Sequence, residues 1–229
     1  MCIRDSPSPF THEGWFFWGA MRHPRVLMHT LFPLTPGAAS LLEDLLPDFV
    51  IDDAAEQRAQ EIRRGDGGGH VVVAPAAIAS EAWPPSRFAA LVSWLLQRYE
   101  VTVTLAGGPG DTALLRTIRD SVQAPAATVD AAVRLVQEPL PVFAALLRRS
   151  QLLISNDSAP IHFADVFGVP TLYFSRQHYV PHSHPVRSSA WALYDESQNR
   201  VAQITVEQAA RAVEHMVAKG VTTLPERSA

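Results

Sequence analysis

The segment 152–174 constrains the fold most strongly, because a strand, a polar elbow, a helix and a second strand follow one another without interruption. The apolar run 152–154 leads into the polar residues 156–158, a short helix is predicted over 160–167, and an apolar strand follows at 170–174. Such a unit directs the N-terminus of a helix, with its unpaired N–H groups and positive dipole end, towards the space beyond the strand. Phosphate-bearing ligands bind there in α/β folds, so the segment predicts a site for a nucleotide or a nucleotide-linked group.

Strands and helices alternate in the same way through the rest of the chain after residue 67. Alternation at this spacing implies right-handed βαβ units, which build a parallel sheet with helices on both faces. The predicted fold class is therefore α/β, with a doubly wound parallel sheet. Strands are predicted at 49–51, 71–74, 101–106, 135–136, 151–154 and 170–174, and helices at 54–64, 88–96, 111–122, 142–147, 160–167 and 205–218.

The composition of the chain limits its partners and its compartment. The 229 residues correspond to about one and a half domains of average size. A formal net charge of -4 argues against nucleic acid as the main partner, because a phosphate backbone selects basic surfaces. The single cysteine, Cys2, excludes a disulfide framework and a cysteine-ligated zinc site. No apolar run approaches the roughly 18 residues that a membrane span needs, so we expect a cytoplasmic protein.

The sequence divides into three regions. Residues 1–13 lack the apolar core of a signal peptide, and we interpret them as a tail or an assembly scar. Residues 14–66 are heterogeneous in composition. The glycine-rich run 65–69 spans the boundary with the next region and is the predicted linker, because glycine interrupts both helices and strands. Residues 67–229 form the regular α/β region.

Three loops are expected at the carboxyl ends of the predicted strands, where ligands bind in doubly wound sheets. They are the loops 75–83, 107–111 and 156–162. The third has a structural interpretation as well as a functional one, because Asp157 and Ser158 are also favoured helix N-caps. The two roles are compatible, since a capping group at a strand end also borders the ligand crevice.

Two other features of these loops have simpler structural interpretations. His162 lies one turn into the predicted helix, and a lone histidine there is more often a packed or exposed side chain than a ligand contact. The run Gly107-Gly108-Pro109-Gly110 matches neither the dinucleotide-binding fingerprint nor the P-loop, so a tight turn between strand and helix is the favoured interpretation unless the neighbouring loops support binding.

The histidines His178, His182 and His184 suggest a metal site, but their surroundings argue against it. Pro181 and Pro185 would break a helix that aligned the first two, and no acidic residue lies in the segment. We therefore predict no metal site. The hydrolase signatures G-x-S-x-G, H-E-x-x-H and S-x-x-K are also absent from the sequence.

Four elements resemble, in order, the motifs of glycosyltransferase family 9, the ADP-heptose:lipopolysaccharide heptosyltransferases. Residues 71–75 resemble the opening strand of the family's donor domain, and Trp83-Pro84-Pro85 resembles its tryptophan-proline helix start. Residues 101–109 resemble its strand ending in Gly-Gly-Pro, and 156–164 resemble its signature D-[ST]-G-P-x-H-x-A. The resemblance covers most of residues 67–229.

The resemblance implies a GT-B architecture, in which two Rossmann-like domains face each other and the C-terminal one holds a nucleotide-sugar donor. Residues 67–229 would be that donor-binding domain, and 14–66 a remnant of the N-terminal, acceptor domain. The implied reaction is metal-independent transfer of a heptose from an ADP-heptose-like donor to a lipid-linked saccharide, with ADP leaving. The donor is a substrate, so no cofactor is implied. A lipid-linked acceptor is compatible with peripheral association of the parent enzyme with the inner membrane.

The resemblance also assigns roles to individual residues. Asp157 and His162 would contact the donor sugar and its diphosphate. Ser158 and Ala159 would offer backbone N–H groups to the phosphates, and Ser158 its hydroxyl as well. Asp111, which follows Gly107 and Gly108 in the same loop, would face the nucleoside ribose.

Some positions of the donor-binding set differ from the family pattern. Glu81 stands where the family often has a lysine that neutralises the diphosphate, and Ala159 stands in place of the signature glycine. Ala76 and Ala77 follow the first strand and offer no side-chain donors. These differences favour an alternative function, a non-catalytic GT-B-like nucleotide-binding or scaffold module.

The family's catalytic base lies in its N-terminal domain, so no catalytic residue is assigned to this chain. We expect it to be an inactive fragment whose parent transfers a heptose or a related sugar. A third interpretation, a GT-B-like enzyme such as a sugar-nucleotide epimerase, ranks last because the loops offer few acid or base residues beyond Asp157, His162 and Glu81.

Overall fold

The computed structural model of the chain describes residues 3–4, 49–77, 82–177, 185, 189–197 and 200–227. Its strands are β1 Ile3–Arg4, β2 Gly69–Ala74, β3 Val101–Ala106, β4 Val133–Val136, β5 Leu152–Asn156, β6 Thr171–Phe174 and β7 Ala190–Leu193. Its helices are α1 Asp53–Ile62, α2 Pro85–Arg98, α3 Thr112–Asp120, α4 Ala126–Ala132, α5 Leu140–Arg148, α6 Ala159–Phe167 and α7 Val206–Ala218. Two 3₁₀ turns occupy Pro109–Asp111 and Val201–Gln203.

All seven strands form one sheet of order β1-β7-β6-β5-β2-β3-β4. The six strands from β2 to β7 are parallel to one another, and counted along the chain they lie in the order 3-2-1-4-5-6. This is the order of the Rossmann fold, in which the chain reverses its direction of travel between the first and fourth strands. The predicted fold class is therefore confirmed, and the reversal falls between β2 and β5.

Strand β2 shows why both faces of the sheet carry helices. Val71 and Val73 belong to a core on one face with residues of α2, α3 and α7, whereas Val72 and Ala74 belong to a core on the other face with residues of α5 and α6. Successive side chains of a strand point to opposite faces, so a strand covered on both sides is apolar throughout. The continuous apolar run in the sequence was the correct signal for this burial.

Helix boundaries follow local chemistry. Helix α2 begins with Pro85, whose missing N–H would have no partner in the first turn. Helix α7 begins at the predicted capping box, in which Thr205 Oγ1 accepts from Gln208 N and Gln208 Oε1 accepts from Thr205 N. Gly168 ends α6 with a φ of 68°, a conformation that glycine adopts without strain.

Several details differ from the sequence prediction. The strand predicted at 49–51 is wrong. Residues 49–51 lie outside the strands: the Phe49 ring centroid is 5.3 Å from that of Phe163 and Ile51 packs against a small core, whereas Val50 is 85% exposed. Helix α4 and strand β7 have no counterpart in the prediction. The sheet is also not wholly parallel, because β1, inside the tail 1–13, pairs antiparallel with β7 at the sheet edge.

Helix α1 lies in the region assigned to the N-terminal remnant, yet it packs on α5. Ala55 and Ala59 form a small core with Val142, Ala145 and Leu146. The division of the chain near residue 66 stays a prediction. The histidines His178, His182 and His184 lie outside the described residues. Among the helices that the structure describes, none is long and apolar enough to cross a bilayer.

His70 is a buried titratable residue near the amino end of β2. Its Nε2 shares a 2.9 Å hydrogen bond with Thr104 Oγ1, and its Nδ1 has no hydrogen-bond partner among the described residues. Burial, with the nearby positive charge of Arg63, lowers the pKa of His70 from its ordinary value of 6.5 to about 4, although Asp66 acts in the opposite direction. The imidazole is therefore neutral in the folded protein at pH 7.

We predict that His70 makes the free energy of unfolding fall between pH 6.5 and pH 4. In that range the unfolded chain binds a proton that the folded chain does not, so stability is lost as the pH falls, by about 3 kcal/mol in total. Urea unfolding at a series of pH values should show this slope reduced in His70→Gln. The control is Thr117→Gln on the exposed surface of α3, which introduces the same side chain without removing a titratable group and should keep the wild-type slope. An unchanged slope in His70→Gln would contradict the assignment.

Candidate functional site

The candidate site is the crevice at the carboxyl ends of β2 and β5, where the strand order reverses. Ala74 pairs with Ser155 in the parallel register of these strands. The residues that follow this pair, 75–77 in one segment and 156–158 in the other, therefore begin side by side. Open α/β sheets bind ligands at this reversal point, because the two crossover connections diverge there to opposite faces and leave a gap.

The Asn156 side chain joins the two loops that border this crevice. Its Oδ1 accepts a hydrogen bond from Trp83 N at 2.8 Å, and its Nδ2 donates to Pro75 O at 2.6 Å. Asn156 is fully buried, so both bonds replace hydration that its amide has lost. Both ends of the loop between β2 and α2 are thereby held against the end of β5.

Trp83 anchors the same loop to the rest of the domain. Its indole stacks on Phe174 of β6 with ring centroids 4.1 Å apart, and it meets Phe88 edge to face at 4.9 Å. Its Nε1 donates to Ile204 O at 2.7 Å. The tryptophan-proline motif that the sequence singled out is therefore a packing and hydrogen-bonding anchor at the start of α2. Glu81 itself lies outside the described residues.

Asp157 is held at the end of β5 by its neighbour strand. Ser175, directly after β6, donates its hydroxyl to Asp157 Oδ2 at 2.6 Å, and Asp157 N donates to Phe174 O at 3.0 Å. Burial is the main cause that raises the pKa of the Tyr173 hydroxyl well above its ordinary range. The negative charge of the Asp157 carboxylate, and that of Tyr194 in its phenolate form, act in the same direction. The Asp157 carboxylate thus has a fixed position next to β6.

Ser158 occupies the N-cap position of α6, but not in the way the capping interpretation requires. Within the described part of the chain, its hydroxyl makes no capping bond to the helix; it lies 3.4 Å from Asn156 O and 3.5 Å from Ser155 Oγ. The Ile161 N–H bonds to Ser158 O at 3.1 Å. Ala159 is the first helical residue, and His162, one turn in, is half-buried.

The glycine loop after β3 is a tight turn, and Asp111 closes it. Asp111 Oδ2 accepts from Gly108 N at 2.7 Å, and a Cβ on Gly107 would lie only 2.8 Å from Asp111 Cβ. Gln137, after β4, braces the turn from the other side: its Nε2 donates to Gly108 O at 2.5 Å and its Oε1 accepts from Thr112 Oγ1 at 2.9 Å. At least one oxygen of the Asp111 carboxylate therefore serves the loop itself.

The described parts of the predicted loops follow the adjacent parallel strands β3, β2 and β5, so they lie at the carboxyl ends of these strands. Ala76 and Ala77 are half-buried beside Asn156. Ser175 and Gln137 are polar residues directly after apolar strands, a pattern that would have indicated them, but they were not among the predicted site residues. A role in binding stays a prediction for every site residue.

These features define a Rossmann-like domain with a candidate ligand site at its reversal point. A sequence model of glycosyltransferase family 9 (heptosyltransferase) matches residues 40–217. The chain belongs to this family, as the resemblance predicted.

Three relatives illustrate the similarity. Lipopolysaccharide heptosyltransferase 3 of Escherichia coli is 29% identical over 150 residues, which are 64% of this chain and 43% of that protein. The structure of E. coli ADP-heptose LPS heptosyltransferase II has a TM-score of 0.66 at 15% identity, over 76% of this chain and 54% of that one. E. coli heptosyltransferase WaaC with ADP has a TM-score of 0.58 at 16% identity, over 74% and 51%. The structural likeness shows the fold, and the chain spans about half the length of these relatives.

We predict that Asn156→Ala lowers the free energy of unfolding by about 3 kcal/mol, because it leaves Trp83 N and Pro75 O buried without their partner. Ser158→Ala, in the same turn, removes only the long contacts described above and should cost less than about 0.5 kcal/mol. Urea unfolding followed by tryptophan fluorescence measures both. Equal, small effects would show that the Asn156 amide does not hold the loop.

Proposed function

We propose that the crevice binds the nucleotide-sugar donor of a heptosyltransferase, an ADP-heptose-like molecule whose sugar passes to a lipopolysaccharide-type acceptor. The observation that carries this proposal is the position of the Asn156–Ser158 turn at the reversal point of the sheet, directly before α6. Backbone N–H groups and the dipole of a helix N-terminus favour an anion there. Family membership makes a nucleotide diphosphate the natural candidate for that anion.

In the proposed arrangement the diphosphate lies against the start of α6. The backbone of Ser158 and Ala159 would face the phosphates, with the Ser158 hydroxyl available because it does not cap the helix. Asp157 and His162 would contact the sugar, whose hydroxyls are suitable partners for a carboxylate and an imidazole. Asp111 would reach the ribose with the carboxylate oxygen that does not bond to Gly108.

The chemical contribution of such a site is to stabilise the departing ADP. Breaking the bond from the anomeric carbon to the phosphate oxygen moves negative charge onto the diphosphate. Fixed N–H groups aimed at that charge lower the barrier because they need no reorganisation during the step. A base for the acceptor hydroxyl is expected in the N-terminal domain, and the lipid-linked acceptor would bind there too, with residues 14–66 as a remnant of that domain. Peripheral membrane association belongs to the same proposal.

The names of the relatives support the nucleotide part of the proposal. One of the solved structures is described with ADP and another as an ADP-heptose enzyme. A second candidate function, a nucleotide-binding module without transferase activity, is favoured by Ala76 and Ala77, since these two residues border the crevice without any side-chain donor. Both functions predict nucleotide binding, and only the first predicts sugar transfer when the chain is joined to an acceptor domain.

We predict that the chain binds ADP more tightly than UDP or GDP, and that Ser158→Glu weakens ADP binding tenfold or more. The new carboxylate would stand where the phosphates are proposed to bind and would repel them. Isothermal titration calorimetry with the three nucleotides measures both effects.

The matched control is Thr117→Glu, which adds the same charge on the exposed face of α3 and should bind ADP as the wild type does. Circular dichroism of each variant separates loss of binding from loss of folding. Absence of ADP binding in the folded wild-type chain, or equal binding of all three nucleotides, would contradict the proposal.

A further inference from the structure

The segments that directly follow the parallel strands carry mostly negative charge. Asp111, Glu138 and Asp157 follow β3, β4 and β5, and two further carboxylates follow β7. Within the described parts of these segments, Arg176 after β6 is the one cationic side chain. The segments are 75–77, 107–111, 137–139, 157–158, 175–177 and 194–197.

Strand register puts Arg176 beside the start of α6. Asn156 pairs with Phe174 in the parallel ladder, and the next residues along are joined by the hydrogen bond from Ser175 to Asp157. One residue further along each segment are Arg176, after β6, and Ser158, the N-cap of α6. The Nε of Arg176 is buried, so the first part of the side chain lies along the protein instead of extending into solvent.

A second arginine near this edge helps to hold the fold together. Arg87, in the first turn of α2, donates from Nη1 to Ala202 O at 2.5 Å and also to Ile204 O. These carbonyls belong to the turn that Trp83 contacts. Arg87 therefore acts with Trp83 in fixing the loop before α2 to the segment before α7.

A diphosphate ligand needs positive charge in this crevice. It would lie close to the Asp157 carboxylate, and Glu81, two residues before Trp83, adds a further negative charge to the sequence of a neighbouring loop. An arginine guanidinium binds phosphate oxygens in a bidentate manner and keeps its charge at any physiological pH. A single arginine near the helix N-terminus would offset the Asp157 carboxylate and add a directional contact.

We propose that Arg176 binds the diphosphate of the nucleotide ligand and supplies the positive charge of the site. This inference rests on the proposed function, because it names the group that recognises the phosphates in the same crevice. In this proposal Arg176, directly after β6, contributes to specificity. Its side chain distinguishes a nucleoside diphosphate from a nucleoside that has the same base and ribose.

The test compares ADP with adenosine in the full chain by calorimetry, at low and at moderate salt. The variants are Arg176→Gln, Arg176→Lys and, as a control of equal net charge, Arg116→Gln on the exposed surface of α3. Thermal unfolding of each variant verifies the fold. We expect Arg176→Gln to weaken ADP binding about tenfold or more and to leave adenosine binding unchanged. Arg176→Lys should recover part of the loss, and the salt dependence of ADP binding should decrease in Arg176→Gln.

The outcomes separate the two proposals. If the wild type binds ADP and Arg176→Gln binds it equally well, the role of Arg176 is overturned and the proposed function stands. If Arg176→Gln and Arg116→Gln weaken ADP binding equally, the effect is one of net charge, and the role of Arg176 is again overturned. If the folded wild type binds neither ADP nor adenosine, the proposed function fails and this inference fails with it.

Discussion

The two hydrogen bonds of the Asn156 side chain are the interaction on which the crevice depends. The reversal of strand order at β2 and β5 produces a gap in any sheet of this topology, but the gap has a defined shape only if the loops beside it are fixed. The Asn156 amide joins the end of β5 to Pro75 on one side and to Trp83 on the other. Because Trp83 also stacks on Phe174 and bonds to Ile204, the end of β6 and the segment before α7 are fixed through the same residue.

The charge distribution follows from this geometry. Parallel strands all end on the same side of the sheet, so the residues that follow them are brought to one region. In the described segments there, most of the charged residues are acidic. Asp157 accepts a hydrogen bond from the Ser175 hydroxyl, and Asp111 accepts one from Gly108 N. These bonds give the two carboxylates fixed positions. A fixed anion suits the hydroxyls of a sugar or a ribose, but it opposes a phosphate. The proposed binding of a diphosphate therefore depends on the N-terminus of helix α6 and on the positive charge proposed for Arg176.

Local sequence patterns predicted most of the fold, because the residues of each helix or strand reflect how much of that element is buried and how it begins. Apolar runs gave the buried strands, and the Thr205 capping box gave the start of α7. Helix α4 was missed because it is short and rich in alanine, with Val129 as its buried residue. Strand β7 was missed because two of its four residues are alanine. Within the site, the Asn156–Ser158 turn was identifiable from its polar residues, whereas Ser175 and Gln137 contact partners that are distant in sequence, and those contacts exist only once the strand order is known.

The most direct test of the central account is an ADP titration of the isotope-labelled chain followed by amide chemical shifts. The account predicts that the largest shift changes cluster at one edge of the sheet, in residues 75–77, 107–111, 157–162 and 175–177. The amides at the opposite edge, such as those of His70 and Gln151, should change little. Changes centred on that opposite edge, or an even distribution over the surface, would contradict the claim that the reversal between β2 and β5 forms the nucleotide site.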